Sequence, residues 1–322
     1  MKSDFLKPNP TFAKKLSFEF TEKLKSSLLY LLHYFEEYVD CQIFLEAKVA
    51  IEGISDKHPD YWYICAINRR LCDLAIKKRG SDASFYFTQL CSLKTYNTKL
   101  PLTTINNFNR IQRSLFTFYS TELSSNDKNI FHLVTEQEYL ESKKILHLAF
   151  EILSEQAPDF YKEYENLVNS LIIYKSDQLS SGTTFSLGKC IYLKSAEKCN
   201  KRNIFVAIDR IIHETAHLLL HLLSNNDPFV LNPTQKLFYS PFRADPRPMI
   251  GIFHAHFVLF RLTMAFSLPS LRKEFEDIGI SEASIKYKAA FEDTKVILSR
   301  HGDFTKLGQD IFNGTVSLSE SA

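Results

Sequence analysis

The sequence predicts a mainly α fold with a small β element, and three features indicate it. Apolar residues recur at helical spacing over residues 12–38. A second apolar helical run, over residues 203–223, stops at the turn-forming segment 224–228. Two short segments, 171–174 and 190–193, are rich in residues that favour strands. Helices should therefore dominate the fold, with the strands confined to a small β element.

The first half of the chain is expected to be a scaffold of helices. Turn-forming residues mark two loops, at 80–82 and 124–127. Thr135 and Glu138 have the spacing of a capping box, which predicts that another helix begins there and runs to about residue 156. We therefore expect residues 1–165 to form a helical scaffold region.

The second half of the chain, residues 166–322, begins with the two predicted strands and continues into the helix over 203–223. Residues 249–269 then predict a long apolar helix, and one or two packing helices should follow from residue 271. We expect this region to pack with the scaffold as one unit.

The chemistry of the second region is indicated by an HExxH motif that begins at His213. Slightly more than one helical turn separates His213 from His217, so both imidazoles leave the same face and can bind one metal ion. The motif lies in an apolar helix, where burying these histidines and Glu214 is costly unless a partner satisfies them. Residues 166–322 are therefore expected to form a metal-binding catalytic region. For His221, one turn further on, the spacing favours a packed or supporting histidine over a further ligand.

The source of a third metal ligand decides the chemistry. Zinc peptidases of the thermolysin type take a glutamate from a following helix. This chain has no Glu over 218–273, where its carboxylates are Asp227 and Asp245. The metzincin pattern also fails, because leucines stand where its glycine and third histidine belong. Two histidines do follow the motif, His254 and His256.

A strand followed by an HExxH helix is typical of zincin-like folds. The sequence therefore predicts a zincin-like core of strand and HExxH helix on the helical scaffold. A predicted strand at the edge of its sheet would suit an extended peptide, which can add to such an edge as a further strand. Both strands could equally lie inside the sheet. The sequence leaves the two arrangements open.

A proline-rich segment, 239–248, lies between the two groups of histidines and carries Arg243, Asp245 and Arg247. Its three prolines restrict the backbone, so the arginines would be presented with little conformational entropy left to lose. The planar guanidinium matches a carboxylate with two parallel hydrogen bonds. The alternative is a surface turn in which Asp245 pairs with one of the arginines. The nearby histidines favour a functional role.

Three parts of the sequence together resemble a known family: HETAH at 213–217, YSPFRADPRP at 239–248 and GIFH at 251–254. They are similar to the HExxH-motif peptide-modification proteins of ribosomally made natural-product biosynthesis, and the resemblance covers roughly residues 165–265. Members of that family are iron(II)- and 2-oxoglutarate-dependent hydroxylases that act at the β-carbon of residues in a precursor peptide. The resemblance implies Fe(II), 2-oxoglutarate as co-substrate and a precursor peptide as partner.

Residue by residue, the resemblance implies three iron ligands, His213, His217 and His254. It implies that the co-substrate is bound by the proline-rich segment, through Ser240, Arg243, Asp245 and Arg247, with either arginine as the partner of the keto acid. Phe242 stands where a Trp is usual and Ala244 where a Pro is common. These two departures concern the shape of the pocket and the substrate more than the chemistry.

Three imidazoles would leave three octahedral positions for a keto acid and oxygen, as in non-haem iron oxygenases. The dianionic co-substrate would offset the ferrous charge, and an arginine would hold its far carboxylate. Glu214 would then orient a ligand or the peptide, and Asp245 would bind the metal or orient an arginine. In the alternative function, a zinc metallopeptidase, Glu214 would be the general base that activates water. A third hypothesis is a peptide-binding protein without catalytic activity.

Composition restricts the class of protein. The 45% hydrophobic content is typical of a folded globular protein, and the net charge of +2 gives no indication of nucleic-acid binding. Six cysteines without a CxxC motif predict reduced thiols. Residues 1–10 are unlike a secretory signal, and the apolar run 249–269 contains two histidines and Arg261, which are costly in lipid. We therefore expect a cytoplasmic protein that binds neither nucleic acid nor a membrane.

Overall fold

The computed structural model describes residues 5–93, 102–120, 130–241 and 245–320. Helix makes up 70% of it and strand 8%, which confirms the mainly α fold with a small β element. The α-helices are α1 (Pro10–Tyr34), α2 (Cys41–Glu52), α3 (Tyr61–Ile76), α4 (Ala83–Cys91), α5 (Arg110–Ser120), α6 (Glu136–Gln156), α7 (Pro158–Leu167), α8 (Lys201–Ser224), α9 (Met249–Ser267), α10 (Pro269–Phe275), α11 (Ile280–His301) and α12 (Lys306–Glu320). The strands are β1 (Leu102–Thr104), β2 (Ser170–Tyr174), β3 (Ser181–Gly182), β4 (Cys190–Lys194), β5 (Leu237–Phe238) and β6 (Arg247–Pro248). The loop predicted at 124–127 lies outside the described residues.

The predicted capping box is present at the start of α6. The backbone N–H of Thr135 donates to Glu138 Oε2 at 2.8 Å, and the N–H of Glu138 donates to Thr135 Oγ1 at 3.2 Å. Two N–H groups that the helix leaves unpaired are satisfied in this way. The helix ends at Gln156, as the sequence predicts.

The two predicted strands are confirmed as β2 and β4, which pair in parallel. They lie inside a four-stranded mixed sheet of order β1-β2-β4-β3, in which β1 is parallel to β2 and β3 is antiparallel to β4. The hypothesis that a predicted strand offers an open edge is therefore wrong for both. Each is already hydrogen-bonded on its two sides, and the edges are formed by the short strands β1 and β3.

The chain divides into two compact units. The first comprises Met1–Lys14, Leu140–Asn166 and Ala196–Ala322, and the second comprises Lys15–Tyr139 and Leu167–Ser195. This division differs from the expected boundary at residue 165. The strands β2 and β4 belong with helices of the N-terminal half, whereas α8 to α12 belong to the first unit.

The second unit is built around aromatic side chains. The ring of Trp62 from α3 stacks on Phe108 with centroids 4.6 Å apart, and Phe116 from α5 packs edge-on against Trp62 and against Tyr192 of β4. Such offset and edge-to-face contacts add to the stabilisation that burial of large rings provides. They fix α3 and α5 on the sheet.

The apolar helix α9 is the centre of the first unit and packs against α8 and α11. Among the described residues it is the one helix long and apolar enough to cross a membrane by length and composition, and 67% of that window is buried within the protein. Two of its buried polar side chains, His256 and Arg261, have partners. His256 is hydrogen-bonded to Thr294 Oγ1 at 3.0 Å and to Thr315 Oγ1 at 2.9 Å, and Arg261 pairs with Glu163. These features are those of a core helix.

Candidate metal centre

Helix α8 presents the HExxH motif without interruption. It begins after Asn200, whose side chain caps the helix by accepting a hydrogen bond from Asn203 N at 2.8 Å. Most side chains of its second half are buried, but His213, His217 and His221 are each half-buried. Because four residues separate each from the next, the three imidazoles form a row along one face of the helix.

The row contains two overlapping pairs of histidines at metal-ligand spacing. The rings of His213 and His217 have centroids 4.9 Å apart, and those of His217 and His221 are 6.3 Å apart. An (i, i+4) pair of histidines can bind one metal ion from a single helix. The spacing along α8 alone would therefore allow a metal ion to be bound by either pair, His213 with His217 or His217 with His221.

Helix α9 brings His254 to this row. Nδ1 of His254 lies 3.4 Å from Nδ1 of His217, and the two rings are 5.6 Å apart between centroids. The ring of His254 also lies 5.3 Å from that of His221. The family resemblance implies a ligand set of His254 with His213 and His217, and the structure places His254 against His217 and His221. His221 therefore belongs to the cluster, although sequence reasoning set it aside as a supporting residue.

The donor chemistry of this cluster fits a transition metal. Two imidazole nitrogens bound at about 2.1 Å to one ion stand about 3.0–3.4 Å apart, for octahedral and tetrahedral angles respectively. The 3.4 Å between His217 and His254 is in this range. Burial lowers the pKa of His254 to about 3 and that of His221 to about 4, so both are neutral near pH 7 and keep a nitrogen lone pair for a metal.

A three-ligand site is not formed by the side chains as they stand. Within the described part of the chain, no three His, Cys, Asp or Glu side chains converge on one point. A metal ion bound by His217 and His254 would need a third imidazole to turn toward them. His221 Nδ1 is buried and has no hydrogen-bond partner among the described residues, so its ring is not held by such a bond at that atom.

Glu214, the candidate general base or positioning residue, is only 4% exposed. It follows His213 on α8 and lies among the buried residues of the helix. A buried carboxylate is costly unless it is paired. Its burial beside the row of histidines is consistent with either role that the sequence allows.

Arg247 lies beside the start of α9. It belongs to β6, which pairs with β5 and leads directly into the helix. Its Nη2 atom is 2.9 Å from Asp245 Oδ2, which is the pairing expected from the alternative interpretation of this segment as a surface turn. Its Nε atom is buried and has no hydrogen-bond partner among the described residues. The guanidinium therefore has an unused donor.

Gly251 lies between Arg247 and His254 in the chain. A Cβ atom at this glycine would lie 3.4 Å from the Cβ of Arg247, so the arginine side chain starts against the Gly251 position of α9. His254 is three residues further along the same helix and shares that face. Ser240, another candidate for co-substrate binding, is buried. Arg243 lies outside the described residues, together with 242 and 244.

No protein-family model matches this chain, and no curated protein matches it either. Its function therefore has to be inferred from the side chains of the cluster and their chemistry.

Proposed function

We propose that this chain is an iron(II)- and 2-oxoglutarate-dependent oxygenase that hydroxylates the β-carbon of a residue in a ribosomally made precursor peptide. The observation that carries the proposal is the 3.4 Å separation of the imidazole nitrogens of His217 and His254, which come from different helices. An arginine with an unused donor at the start of the same helix α9 supports it further. A metal and a small diacid are the ligands that such a combination suits.

The proposed roles of the histidines follow from their charge and position. Neutral imidazoles from α8 and α9 bind the ferrous ion, with His217 and His254 as the central pair. The third ligand is another imidazole of α8, either His213, which the HExxH motif predicts, or His221, whose ring lies against that of His254. The ion supplies redox chemistry with oxygen and the keto acid when it is bound. Because imidazoles bring no negative charge, the site favours a dianionic co-substrate.

Arg247 is proposed to bind the carboxylate of 2-oxoglutarate that is remote from the metal. Its planar guanidinium provides charge-assisted hydrogen bonds. Burial of Nε strengthens these bonds because water competes less for the donor. Ser240 and Asp245 would contribute from the same segment, with Asp245 orienting the guanidinium through their ion pair. Arg243 remains the second candidate for this role.

Glu214 is proposed as a positioning residue that orients a ligand or the peptide. In the alternative function, a zinc metallopeptidase, it would remove a proton from water at the metal. The alternative is favoured by the position of Glu214 next to His213. It needs a third ligand of the usual carboxylate kind. Of the two carboxylates over residues 218–273, Asp245 is 61% exposed and paired with Arg247, and Asp227 Oδ1 accepts hydrogen bonds from Phe229 N and Thr305 Oγ1.

The proposal is tested with protein reconstituted with ferrous ion under anaerobic conditions and then supplied with oxygen, ascorbate, 2-oxoglutarate and the precursor peptides encoded next to its gene. We expect succinate to form, and one peptide to gain the mass of one oxygen atom at a β-carbon. Protein that carries iron but produces no succinate with any of these peptides would exclude the proposal.

The same preparation separates the other hypotheses. Peptide cleavage by the zinc-loaded protein, abolished in Glu214→Gln, would establish the metallopeptidase. A metal content far below one ion per chain after gentle purification would favour a peptide-binding protein without catalytic activity.

A further inference from the structure

We infer that the metal ion is held one helical turn further along α8 than the HExxH motif predicts, by His217, His221 and His254. The inference rests on the proposed function, since it specifies which imidazoles bind the metal of that site. His213, the first residue of the motif, then lies outside the ligand set.

The ring contacts of His254 are the first reason. Its centroid is 5.3 Å from that of His221 and 5.6 Å from that of His217, and these two are 6.3 Å apart. Three imidazoles on one ion have centroids about 4.5–5.5 Å apart, given metal–nitrogen bonds of about 2.1 Å. The distance from His254 to His221 is within this range and that to His217 is about 0.1 Å above it, whereas the distance between His217 and His221 exceeds it by about 0.8 Å. Binding of one ion by all three therefore requires a side-chain rotation that brings the rings of His217 and His221 closer. The ring of His213 contacts that of His217, one turn away from this triangle.

The hydrogen bonding of the buried histidines is the second reason. His221 Nδ1 is buried without a hydrogen-bond partner among the described residues, and an unsatisfied buried group costs about 1–3 kcal/mol. His256 on α9 is a histidine with a structural role, and both of its nitrogens are hydrogen-bonded, to Thr294 and Thr315. A metal ion would satisfy His221 in the way that the two threonines satisfy His256.

The inferred ligand set also changes the distance between Glu214 and the metal ion. With a rise of about 1.5 Å per residue, Glu214 stands about 1.5 Å along the helix axis from the midpoint of His213 and His217, but about 7.5 Å from that of His217 and His221. A general base has to reach the metal-bound water directly or through one further water. An ion at the second pair therefore leaves Glu214 poorly placed to act as a peptidase base, and its proposed role becomes positioning.

The inference is tested by titrating metal-free protein with Co(II), whose visible absorption reports the number and type of its ligands, and by competition with a chelator. The variants are His221→Ala and His213→Ala, with His147→Ala as a matched control because its imidazole is exposed and lies outside the cluster. We expect one Co(II) per chain in the wild type. His221→Ala should weaken binding by more than about 100-fold, beyond the roughly 10–100-fold effect of a residue that only orients a ligand.

His213→Ala and the control should keep the cobalt spectrum and bind within about tenfold of the wild type. Circular dichroism of the metal-free proteins checks folding, and His221→Asn replaces the alanine variant if that variant does not fold. Loss of the cobalt spectrum in His213→Ala with retention in the His221 variant would overturn the inference, as would a wild type that binds no Co(II). If the cobalt results are as expected but ferrous protein forms no succinate, the ligand set stands and the oxygenase proposal fails.

Discussion

Nδ1 of His217 and Nδ1 of His254 lie 3.4 Å apart, although 37 residues separate them in the chain. The first belongs to α8 and the second to α9, and these helices pack against each other in the core of one unit. The short distance is therefore a property of the tertiary fold and not of the HExxH motif. Substitution of His254 can therefore test the metal hypothesis without changing the HExxH motif.

We predict that His254→Ala abolishes metal binding and keto-acid turnover while the protein remains folded. A single substitution costs about 1 kcal/mol of unfolding free energy on average, so the variant should remain folded. The loss of a donor from α9 leaves the ion with ligands from one helix. Metal content per chain and succinate formation measure the effect, with His147→Ala as control. A His254→Ala protein that retains one tightly bound ion would contradict the assignment.

Arg247 provides a separate test of co-substrate binding. We predict that Arg247→Ala raises the KM for 2-oxoglutarate by roughly 10- to 100-fold, because hydrogen bonds to charged groups contribute about 1.5–3 kcal/mol. Arg247→Lys should restore binding only in part, since an ammonium lacks the planar fork. Steady-state kinetics with varied 2-oxoglutarate separate KM from kcat.

Asp245→Asn is the matched control for Arg247. It removes the ion pair at 2.9 Å but leaves the arginine in place, and the carboxylate is 61% exposed. An exposed pair of this kind contributes little. Because the ion pair only orients the guanidinium, we expect a KM at most about fivefold above that of the wild type, a smaller increase than in Arg247→Ala. An unchanged KM in Arg247→Ala would direct attention to Arg243.

The sequence predicted those parts of the fold that local patterns determine. The capping box of Thr135 and Glu138, the span of α8 and the apolar helix α9 follow from residues close together in the chain, and each is present. The two strands were also found from composition. Their interior place in the sheet was not predictable, because it depends on pairing with β1 and β3, which are two or three residues long.

The candidate site shows the same limit. The four-residue spacing of the histidines indicates α8 as a candidate metal-binding helix, but that spacing continues from His217 to His221 and does not select a pair. The choice depends on where His254 meets α8, and this is decided by side-chain packing between two helices. An unsatisfied atom such as His221 Nδ1 likewise becomes visible only in three dimensions.

Lys189 of the second unit is wholly buried, and its ammonium has both hydrogen-bond and aromatic partners. Its ammonium donates hydrogen bonds to Ser17 Oγ at 2.9 Å, Thr21 Oγ1 at 3.3 Å and the Asp56 carbonyl at 2.7 Å. It also lies 4.1 Å from the centre of the Tyr61 ring. Burial nevertheless lowers the pKa of Lys189 from 10.5 to about 7, because these neutral groups only partly replace the lost hydration.

We predict that this shift makes the unfolding free energy rise with pH. Below about pH 7 both states carry the proton, whereas between about 7 and 10.5 the unfolded chain keeps a proton that the folded protein has released. The contribution of Lys189 therefore increases with pH through this window, by up to about 1.4 kcal/mol per pH unit, and is lost as the pH falls toward 7. Urea unfolding at several pH values gives the slope of the unfolding free energy against pH. This slope should be smaller for Lys189→Met than for the wild type. Equal slopes for the two proteins would contradict the shifted pKa.

The buried pair of Arg261 and Glu163 holds the start of the chain in the first unit. Arg261 Nη1 donates to the carbonyls of Leu6 at 3.1 Å and Phe5 at 3.3 Å, and Glu163 Oε2 accepts from Asn9 N at 2.9 Å. Both charged side chains are at most 2% exposed. Each charge therefore depends on the other for compensation.

We predict that Glu163→Gln and Arg261→Met each lower the unfolding free energy by about 3–5 kcal/mol, because each leaves the remaining partner uncompensated in the interior. The double variant should lose much less than the sum of the two, since it removes both charges. Denaturant unfolding of the four proteins gives this coupling energy. Limited proteolysis should show earlier cleavage near residues 5–9 in the single variants. Additive effects would mean that the two side chains stabilise the protein independently, through packing alone.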